Sequence, residues 1–237
     1  MKKVSFILAI ASLFGCGSNN TQVLDTPTSG SIKMAVDESF RPLAEAELDV
    51  FSVIYPQTHI STTYKSEAEA VADLLNDSVR LIIAARDLDS AEYAHIKKQK
   101  ITAHGIKIAT DGLAIIVNKG NMDSVMVVTE IEKILKGEVS AWKDLNPKNN
   151  LDAINLVFDN KNSSTIRYLK EKFKLNDIAG KNIFALKDNP SVIDYVKKNT
   201  NAIGVIGVNW ISDRDDSLSN SFLNNISVVS LSATEGE

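Results

Sequence analysis

The chain has one cysteine in 237 residues, Cys16, so no disulfide can form within it. It has three histidines, His59, His95 and His104, on separate segments without the spacing of metal ligands. No metal or other cofactor is expected from them. No apolar run reaches the ~20 residues that a membrane-spanning helix needs. Excess positive charge is also missing: the formal net charge is -4. A nucleic-acid partner is therefore not expected, because binding a phosphate backbone requires a basic face. No nucleophile, base and orienting group occur together, which argues against an enzyme. There is no internal repeat.

What is present begins with a leader. Lys2 and Lys3 give a positive start, Val4 to Phe14 form a short apolar core, and small Gly15 precedes Cys16. The run Leu13-Phe14-Gly15-Cys16 resembles the bacterial lipobox. The resemblance implies cleavage before Cys16 and lipid on its sulfur. Residues 1–15 are thus expected to be a signal peptide. Residues 16–30, rich in Ser, Thr, Pro, Gly and Asn, are expected to be a flexible tether. The body would sit on the periplasmic side of the cell envelope, attached to a membrane through lipid only.

From Ser31 onward, strand-like runs alternate with amphipathic helical runs. Ile32, Met34 and Val36 alternate as in a strand. Leu43, Ala46, Val50 and Ile54 recur at helical spacing, and Pro56 ends that helix. His59 to Tyr64 reads as a strand, and Ser66 with Glu69 forms a capping box. Val79 to Ala84, Ile106 to Ile108 and Leu113 to Val117 read as strands. Thr129 and Glu132 are expected to cap a helix that stops at Gly137. Ile154 to Phe158, Ile183 to Leu186, Ala202 to Val208 and Ile226 to Leu231 complete the strands. Helices are expected after Ser163 or Ser164 and after Asn189-Pro190. The interleaving predicts an α/β fold with largely parallel pairing.

Two helix starts carry the candidate chemistry. They are Asp37-Glu38-Ser39-Phe40 and Asp159-Asn160-Lys161-Asn162-Ser163-Ser164-Thr165. Each sets hydroxyls beside backbone N–H groups at a helix N-terminus, an arrangement that binds anions. Plain N-capping explains either start alone. Two such starts in separate lobes point to a shared cleft beyond the carboxyl ends of the strands.

The run from Ile134 to Leu145, which contains Lys136-Gly137-Glu138-Val139-Ser140-Ala141-Trp142, resembles a hallmark of phosphate-binding proteins of bacterial ABC transporters. Asp111 to Asn118, Ala84-Ala85-Arg86-Asp87-Leu88 and Ala202 to Gly207 are similar to other segments of that family, in the same order. The resemblance runs from about Ser31 to Val208. It implies two α/β lobes of the type II periplasmic binding protein-like fold, residues 31–110 and 111–237, closing on an oxyanion. Carried over by position, Ser39 and the backbone of Phe40 would line the cleft from the first lobe. Ser163, Ser164 and Thr165 would line it from the second. The motif around Trp142 marks the fold rather than the ligand.

Three positions depart from the family. Asp159 stands where the family usually has an arginine, Ser66-Glu67-Ala68-Glu69 where it has serine and glycine, and Ala85 where it often has an acid or serine. Asp159 would repel a dianion unless it accepts a hydrogen bond from a protonated ligand. A glutamate there that faces the cleft would also oppose an anion; otherwise Glu67 and Glu69 read as acids of a first helical turn. Arg86, with Arg41 or Lys161, is the expected source of positive charge. The family pattern also runs on past the position of Glu237, so the fold is expected to be incomplete at its C-terminus. The implied function is a lipid-anchored, monomeric solute-binding protein that captures phosphate or a similar oxyanion for an ABC permease. The alternative is a diverged binding or sensing lipoprotein with another ligand and no transport role.

Overall fold

A computed structural model describes residues 25–178 and 180–233. The expected signal peptide, the lipidation site Cys16 and most of the tether lie outside the described residues. No helix among the described residues is long and apolar enough to cross a membrane.

The first lobe is built on a three-stranded parallel sheet. Its strands are β1 (Ser29–Asp37), β2 (Gln57–Lys65) and β3 (Leu81–Ile83), in the order β2-β1-β3. Successive side chains of a strand point to opposite faces, and β1 shows this directly. Met34 and Val36 pack with Phe40 and Ala44 on the face covered by α1 (Arg41–Ile54). Ala35 packs with Ala70 and Val79 on the other face, beneath α2 (Glu67–Leu75). Helix α3 (Ser90–Lys98) follows, started by Asp89, whose carboxylate accepts from Ala91 and Glu92 N–H. Pro42 fits the first turn of α1, where no backbone N–H is needed.

The second lobe holds a five-stranded mixed sheet, β7-β6-β8-β4-β9. The strands are β4 (Leu113–Asn118), β6 (Asn155–Phe158), β7 (Ile183–Ala185), β8 (Ala202–Gly207) and β9 (Ile226–Val228). Strand β6 runs parallel to β7 and β8, whereas β4 is antiparallel to β8 and β9. Ile115, Val117, Leu156, Phe158, Ile203 and Val205 face one core with Trp142, α4 (Val128–Leu135) and α6 (Ser164–Phe173). Ala114, Ile116, Val157, Ala202 and Ile206 face a second core beneath α7 (Asn189–Lys198) and α8 (Asn209–Ser212). The short α5 (Trp142–Leu145) carries the tryptophan, and α9 (Ser217–Leu223) precedes β9.

Three local readings differ from expectation. Residues Ile106–Ile108 form no strand, and Ile106 and Ile108 are 80% and 70% exposed. Apolar alternation makes a strand only where a neighbouring edge supplies hydrogen bonds. Ile226 to Leu231 splits into β9 and β10 (Ser230–Ser232), and β10 pairs in parallel with an unexpected β5 (Val125–Val127). Helix α4 starts from Val127, whose N–H donates to Glu130 at 2.9 Å, not from Thr129. Helix α7 starts at Asn189, as expected, and its cap is Asp188, which leaves the Asn189 side chain for other contacts.

Candidate functional site

The C-terminal ends of β1, β6 and β8 meet where the lobes touch. Strand β1 ends at Asp37, which accepts from Ser39 N–H at 3.2 Å and so starts a single 3-10 turn, Glu38–Phe40, leading into α1. Strand β6 ends at Phe158. The loop after it runs through Asp159 to Ser163, the N-cap of α6. Ser163 donates to Asp159 Oδ1 at 2.7 Å and accepts from Ile166 N–H at 3.4 Å. The two hydroxyl-bearing starts face each other directly, with the Ser164 and Ser39 hydroxyls 3.5 Å apart.

Of the expected site residues, Ser39, Asp159, Ser163, Ser164 and Thr165 are all buried here. Phe40 contributes its backbone, since its ring lies in the apolar core beneath α1. The first-turn N–H groups of α6 have no partner inside the helix, so Ser164 and Thr165 present backbone donors as well as hydroxyls. Arg86 lies at the margin. Its guanidinium forks onto Glu92 with two bonds of 2.7 Å, and its Nε stands 3.9 Å from Glu67. Arg41 pairs with Glu45 and stacks over Tyr64, and Lys161 is exposed.

Sequence reasoning missed two participants, Arg167 and Asn189, and left Glu67 open between the cleft and a helical turn. Glu67 is 3% exposed and points into the lobe junction, not out from a helical turn. Its carboxylate accepts from Ala85 N–H at 3.0 Å, and from Arg167 Nη2 at 3.1 Å and Nε at 2.5 Å. Arg167, on α6 of the second lobe, is thus the cation that reaches the cleft. Asn189, fully buried, donates from Nδ2 to Glu38 Oε2 at 2.6 Å and accepts from Gly207 N–H at 3.0 Å. Only the Asn-Pro helix start hinted at Asn189 in the sequence. Nothing local marks the Glu67–Arg167 pair.

The junction is rich in carboxyl groups. Burial pushes Asp37 up to about 6, and the charges of Glu67 and Asp159 push the same way. Burial raises Glu38 to about 7, with Asp159 and Asp188 adding to it. Burial also raises Asp159. Asp37 Oδ2, Glu38 Oε1 and Thr165 Oγ1 are buried without a hydrogen-bond partner. Buried polar atoms normally find partners, so the two carboxyl oxygens can accept from a donor and the Thr165 hydroxyl can donate as well as accept. Among the described residues no His, Cys, Asp and Glu group has the geometry to hold a metal ion.

Known proteins are similar to this chain in sequence and in fold. The chain is 27% identical over 218 residues to the phosphate-binding protein PstS of Staphylococcus epidermidis, covering 90% of this chain and 66% of that one. It is 26% identical over 227 residues to PstS of Staphylococcus aureus, covering 92% and 68%. The chain thus spans about two thirds of the length of these relatives. Among solved structures it resembles a Clostridium perfringens substrate-binding protein crystallised with bound phosphate, with a TM-score of 0.70, 23% identity, and coverage of 87% of this chain and 77% of that one. An ABC-type phosphate transport receptor from Vibrio cholerae follows at a TM-score of 0.59 and 18% identity, covering 85% and 76%. At those identities the two structures speak for the fold, which is the two-lobed one described above. The sequence pattern of the PBP superfamily domain is matched over residues 21–236, and the chain belongs to that superfamily.

Proposed function

We propose that this chain is a solute-binding protein that captures phosphate, or an oxyanion of the same class, between its lobes. It would hand the ligand to an ABC permease while held at the periplasmic side of a membrane by lipid on Cys16. The observation that carries the reading is the pair of facing helix starts, with the Ser39 and Ser164 hydroxyls 3.5 Å apart and Ser163 and Thr165 beside them. Such starts offer N–H and O–H donors at the positive end of a helix dipole, which suits a desolvated oxyanion. The named function of the staphylococcal relatives supports the same ligand class. Ser39, the Phe40 backbone, Ser164 and Thr165 would be the donors, with Ser163, whose hydroxyl already donates to Asp159, supporting them, Arg167 the nearest cation and Arg86 behind it.

Asp37 and Asp159 set the protonation state of the ligand. A buried carboxylate accepts hydrogen bonds, so it favours an oxyanion that still carries a proton and opposes one that carries none. A second reading, a diverged binder of another ligand, is favoured by the same acids. Calorimetric titration of the full chain with phosphate, sulfate and molybdate separates the two. Phosphate binding with sulfate excluded is expected. Failure of every oxyanion to bind at millimolar concentration would transfer the reading to the diverged binder.

A further inference from the structure

We propose that Glu67 is a tethered occupant of the cleft: its carboxylate stands in for a free oxyanion and holds the lobes closed without one. Glu67 comes from the start of α2 in the first lobe, and Arg167 from α6 in the second. The Arg167 guanidinium meets the Glu67 carboxylate with both Nε, at 2.5 Å, and Nη2, at 3.1 Å. This is the fork-on-two-oxygens geometry by which arginine recognises carboxylate and phosphate alike. The remaining donor is a backbone N–H, that of Ala85. A buried anion held by an arginine fork and a backbone N–H is what an oxyanion site offers its ligand.

Glu67 has no competing local task. Glu69 already serves the start of α2, accepting from the N–H and the hydroxyl of Ser66 at 3.0 and 2.6 Å. A first-turn acid acting only on the helix dipole would stay in solvent, whereas Glu67 is 3% exposed. The neighbouring contacts show that the lobes meet around it. Ala68 N–H donates to the Asn162 carbonyl at 3.4 Å, across the lobes. The Ser39 and Ser164 hydroxyls touch each other, leaving an incoming oxyanion to separate them.

Two consequences follow. The ligand-free chain is already closed, because an intramolecular anion supplies the differential contact that a ligand supplies elsewhere. A free oxyanion must also compete with Glu67 for Arg167, so Glu67 weakens capture and selects against ligands that cannot displace it. The second consequence rests on the oxyanion reading above, and the first does not.

The test combines small-angle X-ray scattering of the full chain without ligand and calorimetric titration with inorganic phosphate. The wild type should be compact and change little when phosphate is added. Glu67→Gln should expand without phosphate, contract with it, and bind it at least about fivefold more tightly, the scale of ordinary coupling between states. Arg167→Gln should expand in the same way but gain no affinity. Glu67→Asp, which keeps the charge but falls one methylene short, is the second variant if Glu67→Gln folds poorly by circular dichroism, and it too should expand. Variants that stay as compact as the wild type overturn the proposal. So does a Glu67→Gln chain that binds phosphate more weakly, since Glu67 would then be a ligand contact. Expansion of the variants with no phosphate binding in any chain upholds the closure and overturns the oxyanion reading instead.

Discussion

Asn189 joins the two lobes through Glu38. Its amide nitrogen donates to Glu38 Oε2 at 2.6 Å, its backbone N–H donates to the same oxygen at 3.2 Å, and its amide oxygen accepts from Gly207 N–H at 3.0 Å. Asn189→Ala removes two of these three bonds; it leaves the Gly207 N–H buried without a partner and Glu38 Oε2 with only the backbone N–H. Leaving such groups unsatisfied costs about 1–3 kcal/mol each. Asn189→Ala is expected to lower stability by about 1–3 kcal/mol in urea unfolding, with the midpoint rather than the slope changing. An unfolding curve that matches the wild type would remove Asn189 from the junction's support.

Acid should tighten the molecule. Asp37 sits at about 6 against an ordinary 3.8, and Glu38 at about 7 against 4.5, both raised mainly by burial. A raised folded-state value means that the folded chain holds the proton more firmly than the unfolded one. The stability these groups contribute is therefore fully present below their unfolded values and is lost as pH rises through about 6 and 7. Unfolding free energy should be greater near pH 5.5 than at pH 8, by on the order of 1–3 kcal/mol per group, with melting temperatures higher to match. Asp37→Asn with Glu38→Gln should flatten the profile over that window. A wild-type profile that rises from pH 5.5 to 8 would contradict the assignment.

On the proposed oxyanion reading, Asp159 selects the protonation state of the ligand. It is 2% exposed, and burial holds it above the usual carboxylate range. Asp159→Asn keeps an oxygen for the Ser163 hydroxyl and removes the charge. At pH 8 the substitution is expected to tighten phosphate binding by roughly tenfold, about 1.4 kcal/mol, and to admit sulfate. Wild-type binding should instead strengthen as pH falls toward 6. Isothermal calorimetry at the two pH values reads both effects, and equal sulfate exclusion in the two chains would assign discrimination elsewhere.

Much of the framework is legible in the sequence because its causes are local. Met34 and Val36 alternate with Ala35, and the sheet places them on opposite faces. The hydroxyls at 163–165 follow an apolar strand and cap the helix after it. Ile106 and Ile108 carry the same alternation, yet they form no strand, since hydrogen-bonding partners are a tertiary property. Strand β5 is three residues long and exists only because β10 lies beside it. The cleft's central ion pair is the least legible part. Glu67 and Arg167 are 100 positions apart, and each also fits a mundane local role, a first-turn acid and an i, i+4 partner of Glu171.

Trp142 tests whether the family-like run supports the fold alone. The side chain is fully buried in the core of the second lobe, and its Nε1 donates to the Asn201 carbonyl at 3.0 Å. That carbonyl also accepts from Asn155 N–H at 3.1 Å, so removing the indole does not orphan it. Trp142→Ala is expected to cost about 3–5 kcal/mol through the cavity it leaves beside Leu135 and Ile154. Trp142→Phe, which keeps most of the ring and loses one satisfied hydrogen bond, should cost nearer 1–2 kcal/mol. Trp142 lies in the packed apolar interior of the second lobe, with Leu135, Ile154 and Leu156. Phosphate titration of the Trp142→Phe chain should therefore return the wild-type dissociation constant while its urea midpoint falls. A loss of affinity larger than the loss of stability can explain would give the tryptophan a part in the cleft.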